Sequence, residues 1–118
     1  MIESEVLTAL TDGSPSLAAG RVYAILLPDE TPLPAITYQR ISTLSHNSLQ
    51  EWARIDHVRM QVDCWASTYA EAKLLAEQVR FAMQAAGFKG VLANDRDDFE
   101  PDTETYRVSA DYMVWQKG

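Results

Sequence analysis

Two runs of strictly alternating side chains constrain this chain more than anything else in it. In the first, from Arg54 to Trp65, Val58, Met60, Val62 and Cys64 share one parity, while His57, Arg59, Gln61 and Asp63 share the other. In the second, from about Thr105 to Gln116, Tyr106, Val108, Ala110, Tyr112 and Val114 alternate with Arg107, Ser109, Asp111, Met113 and Trp115. Successive side chains of an extended chain point to opposite faces, so this pattern predicts strands buried on one face. An apolar sheet face needs a covering layer.

The sequence between the two runs supplies one. Thr68 followed three residues later by Glu71 is a capping box. Ala72, Leu75, Ala76, Val79 and Met83 then recur at helical spacing, and Gly87 suits the left-handed residue that ends a helix. A first, shorter helix is predicted over Ile2 to Thr11, with Val6, Leu7 and Leu10 on one face and Asp12-Gly13-Ser14-Pro15 as its stop.

The remaining strands are predicted from β-rich runs. Arg21 to Leu27 reads as a strand, Pro28 to Pro34 as a rigid loop with three prolines, and Ala35 to about Thr43 as a second strand. Leu44 to Ala53 reads as a hairpin connection ending near Trp52. Phe88 to Leu92 suggests a short strand. Asn94 to Glu104 reads as a solvated acidic loop, holding Asp95, Asp97, Asp98, Glu100, Asp102 and Glu104. The expected fold is therefore α+β: a mostly antiparallel β-sheet with two helices packed on one face, built as a single domain over residues 1–118.

Several function classes find no support. No phosphate loop, dinucleotide fingerprint, Gly-x-Ser-x-Gly elbow or His-Glu-x-x-His pattern occurs. The acidic stretch fails as a calcium loop. Counting from Asp95, the fifth and sixth positions hold Phe99 and Glu100 where an oxygen ligand and Gly belong. Cys64 is the only cysteine, which excludes an intrachain disulfide and a multi-cysteine zinc site. His46 and His57, the only histidines, form no motif with it. No catalytic residue, metal site or cofactor is expected, and the chain is not expected to be an enzyme.

The formal net charge of −7 argues against binding nucleic acid through its phosphates. It is compatible with a surface past which DNA slides without sticking. No apolar stretch approaches the length of a membrane span, and Met1-Ile-Glu-Ser-Glu5 lacks the basic start of a signal peptide. Synthesis in the cytoplasm and no membrane partner are the expectations.

The second face of the predicted sheet carries apolar side chains where polar ones belong. Trp65, Met113 and Trp115 lie on that parity, and Trp52 sits at the end of the long connection. Large apolar side chains there want cover, from this chain or from a neighbouring subunit. These four residues are the candidate subunit interface.

The order of marks along the chain resembles the tail-completion (tail terminator, head–tail joining) family of long-tailed phages and phage-like particles. The marks are Gly20-Arg-Val-Tyr23, Pro28, Leu33-Pro-Ala-Ile-Thr-Tyr-Gln-Arg40, Val62-Asp-Cys-Trp-Ala-Ser-Thr-Tyr-Ala-Glu-Ala72, the acidic stretch, Tyr106-Arg107 and Asp111-Tyr-Met-Val-Trp115. The resemblance implies a non-enzymatic virion protein. It would form a ring, usually a hexamer, at the head-proximal end of the tail tube, stopping tube growth and meeting the head connector. The implied partners are further copies of the chain, the tail tube protein and the head–tail connector protein. DNA would pass through the lumen without specific binding, after assembly in the host cytoplasm. The family brings no catalytic residues. A head–tail connector adaptor and a non-viral α+β binding module are the other readings.

Overall fold

The structure, a computed structural model, describes residues 2–12, 21–28, 30–45, 55–85 and 90–117. The elements run α1 (Ile2–Asp12), β1 (Val22–Ala24), β2 (Ala35–Ser45), β3 (Ile55–Ala66), α2 (Tyr69–Ala85), β4 (Val91–Glu100) and β5 (Thr105–Lys117). The five strands form one sheet in the order β1-β2-β3-β5-β4. All pairings are antiparallel except β1 with β2. The α+β fold with a mostly antiparallel sheet and two helices is thus what the chain adopts.

The two alternating runs become the central strands. Cys64 lies opposite Ile36 on β2 and Val108 on β5, and Val62 lies opposite Tyr38 and Ala110. This register brings the apolar parities of three strands onto one face. Val58, Met60, Val62, Cys64, Val108, Tyr112 and Val114 are all buried there. Ala72, Leu75, Val79 and Met83 of α2 pack down on them, and Val6 and Leu10 of α1 complete the same core. Removing each such aliphatic side chain from water contributes about 1.5–3 kcal/mol. The helix starts where the capping box places it: Thr68 Oγ1 accepts the Glu71 N–H at 3.2 Å. The predicted Gly87 terminus lies outside the described residues.

Three expectations need correction. Arg21 to Leu27 is not a seven-residue strand. Only Val22–Ala24 is extended, and it runs parallel to β2. The break is local. Ile25 adopts φ 68°, and the Leu26 N–H donates to the Ala24 carbonyl at 2.7 Å, closing a γ-turn. The proline loop then carries the chain back, so that β2 starts beside β1 rather than opposite it.

The acidic stretch is also not a loop. Val91–Glu100 is a ten-residue edge strand, and only Pro101–Glu104 turns. Its missing periodicity has a physical cause. An edge strand is paired on one side and solvated on most of its surface, so both parities accept charge, and charge on an edge discourages stray pairing. Finally, β2 continues to Ser45, further than about Thr43. The rest of the predicted Leu44–Ala53 connection lies outside the described residues.

A candidate docking surface on the helix-free face

Both helices cover the same face of the sheet, which leaves the other parity of each strand to form the opposite surface. Register assembles it. Thr37, Asp63 and Ser109 lie side by side across β2, β3 and β5, as do Ala35, Trp65 and Arg107. On β4, Arg96 and Asp98 face Ser109 and Arg107.

Near the start of β2 and the end of β4, this surface is linked by polar contacts. The Trp65 indole N–H donates to Thr37 Oγ1 at 3.0 Å. The Arg107 guanidinium stacks over the Trp65 ring, 5.2 Å from its centroid. Arg107 Nη2 also reaches Asp98 at 3.0 Å and Glu100 at 3.4 Å, while Arg96 approaches Asp98 at 3.5 Å. Gln61 Nε2 lies 3.0 Å from each carboxylate oxygen of Asp63.

Two walls rise beside this floor. One is the Ile25–Leu33 loop and the other is the β4–β5 turn. Between them lies a groove of about 690 Å³, with Gln39, Gln61, Asp63, Trp65 and Arg107 among its lining. Ile25 and Leu26, at 73% and 75% exposure, stand on the first wall. Asp102 stands on the second, next to Glu100 at the end of β4.

The four interface candidates fall out as follows. Trp65 is half-buried and partnered within the chain by Thr37 and Arg107. Met113 is half-buried on β5 opposite Arg59. Trp115 lies opposite His57 along β5, and its side chain is outside the described residues. Trp52 is wholly outside them. The structure therefore brings Trp65 into the groove and leaves Met113 further along the strand. Missing from the sequence reading were Asp63 as a groove floor and Ile25–Leu26 as a wall. The second had a signal, since three consecutive aliphatics, Ile25, Leu26 and Leu27, immediately before Pro28 and Asp29 have no place in a solvated turn.

Away from the groove, the described residues hold two further features, the buried Cys64 and a polar cluster on β4. Burial, and then the neighbouring Asp63 charge, push the Cys64 thiol well above its ordinary range, so the thiolate nucleophile is suppressed. Among the described residues no group of three His, Cys, Asp or Glu side chains is placed to hold a metal ion. No described helix is long and apolar enough to cross a membrane. On the helix side of β4, the Tyr69 hydroxyl donates to Asp97 at 2.6 Å and Lys73 Nζ approaches it at 3.4 Å. The Tyr69 hydrogen bond is the main cause holding the Asp97 carboxyl below its usual range. This trio ties α2 to the edge strand in solvent, where such pairs are structural.

Comparison with known proteins bears on the fold and the family. No curated protein matches the chain. Among solved structures, one chain from "Virion of native gene transfer agent (GTA) particle" has the same fold, with a TM-score of 0.69 at 15% identity over 99% of this chain and 95% of that one. The family model described as "Tail completion protein gp17" matches residues 3–117. The chain therefore belongs to the tail completion protein gp17 family, structural proteins of phage tails.

Proposed function

We propose that this protein closes the tail tube as a ring, a hexamer by family resemblance, at the head-proximal end of a phage or phage-like tail. There it stops tube growth and joins the tube to the head connector. The observation that carries this reading is the family match across residues 3–117. The fold shared with a chain of a gene transfer agent virion supports it, because that particle is itself phage-like. The sheet supports it physically. Its two edges differ, one being the three-residue β1 and the other the ten-residue, charge-rich β4. Contact between unlike surfaces of identical subunits is heterologous, and a heterologous contact that closes makes a ring.

The ring's lumen passes DNA without specific binding. Each Lys or Arg contact with a phosphate adds affinity by releasing counterions, and a conduit for a whole genome should not accumulate such contacts. A chain with net charge −7 is suited to that task. Negative-stain imaging of the purified protein at about tens of micromolar, and of tails made with and without it, tests the reading. Rings in solution or on tube ends, and overlong or headless tails in its absence, are expected. A protein missing from purified particles overturns it.

A further inference from the structure

The groove on the helix-free face lies at the end of the molecule where the charge is concentrated. Gln39, Gln61, Asp111 and Asn94 form one row across the sheet. The described residues on the groove side of that row, 21–28, 30–39, 61–77 and 94–110, hold ten acids against four bases. That difference accounts for most of the net charge of −7; the rest of the chain holds seven acids and six bases.

Acidity alone makes no site, but Asp63 adds a separate observation. It lines the groove and is only 8% exposed. Its hydrogen-bonding partner among the described side chains is the neutral Gln61 amide. The nearby Arg107 is committed elsewhere, to Asp98 and Glu100. A carboxylate this far from water ordinarily has a cation. Arg107 Nε, also buried and lining the groove through its residue, has no acceptor among the described residues. The wall gives a third observation. A β-branched residue at φ 68° is strained, and the strain at Ile25 holds two aliphatic side chains out in solvent beside the groove.

We propose that this groove seats an extended segment of a second structural protein of the particle, one that sets a lysine or arginine against Asp63 and aliphatic side chains against the Ile25–Leu26 wall. The assignment of the partner to the particle rests on the tail reading above. A cationic segment supplies the missing counter-charge. Nucleic acid is disfavoured because phosphate meets Glu100, Asp102 and Asp63. A second copy is less favoured because the rest of the chain carries no net positive charge to complement the groove.

The test uses the full chain, isotopically labelled for NMR, with acetyl-Leu-Arg-Val-Ser-amide and its Leu-Gln-Val-Ser counterpart as probes. The arginine peptide is expected to shift the Trp65 indole N–H and the Gln61 side-chain amide, and to bind about tenfold more tightly than the glutamine peptide. Asp63→Asn should remove that preference while the thermal melt shows a folded protein. Glu100→Gln with Asp102→Asn is the second variant; it should weaken binding and flatten its salt dependence. Equal binding of the two peptides, or an unchanged preference in Asp63→Asn, overturns the proposal. So do concentration-dependent shifts of the same signals without peptide, which would give the groove to a second copy. Imaging separates this from the ring reading: rings retained by Asp63→Asn together with lost peptide preference support both. Wild-type protein that never forms rings or joins tails, yet keeps the peptide preference, sinks the ring and not the groove.

Discussion

At the scale of single residues, burial decides which positions tolerate change. Val62 is fully buried between the central strands and the helices. Val62→Asp places a carboxylate there with no cation, at a cost of about 4 kcal/mol or more. A melting temperature lower by roughly 15 °C, or a protein that does not fold, is expected. A melt equal to the parent's would mean that β3 has the opposite parity. Cys64, on the same face, is equally enclosed. Its thiol should react with a disulfide reagent at pH 8 only as fast as the protein opens, and at once in denaturant. Fast stoichiometric reaction of the native protein would contradict its burial.

At the scale of elements, the joint between α2 and the edge strand is where side-chain chemistry matters most. Thr68 caps α2, and Thr68→Ala should cost about 1 kcal/mol in a denaturant melt. A loss near zero would show that the helix start is held by Tyr69 and its neighbours instead. On the edge strand, Asp97 accepts from Tyr69 and pairs with Lys73. Its folded-state pKa lies below the ordinary value, so its stabilisation is present above about pH 4 and is lost as pH falls through the depressed value. Thermal melts across the acid range should therefore fall more steeply for the parent than for Asp97→Asn, with the curves converging at the lowest pH. The effect is small because the pair is exposed. Parallel curves would mean that the trio contributes nothing.

At the scale of the whole molecule, the uneven charge is the dominant physical fact. Helices on one side, a groove on the other and an acidic end give the chain distinct surfaces, which a heterologous ring and its neighbours require. If the chain forms the proposed ring, coordinates of that ring should show a lumen that is acidic or neutral. If Arg21, Arg40, Arg54 and Arg59 line it, the non-adhesive conduit is refuted. If the acids of β4 instead face outward against a basic connector surface, they guide docking.

Much of this architecture was legible in the sequence, wherever burial imposes a period. The parities of Val58 to Cys64 and of Tyr106 to Val114, the stripe from Ala72 to Met83 and the cap at Thr68 are local patterns enforced by one apolar face. Only tertiary structure decided the rest. The edge strand β4 has no buried face to impose a period, so its acids looked like a loop. The parallel pairing of β1 rests on a strained turn at Ile25 that no residue propensity announces. The groove joins residues from β2, β3, β4, β5 and two loops, and no spacing along a chain records which side chains a sheet register will set side by side.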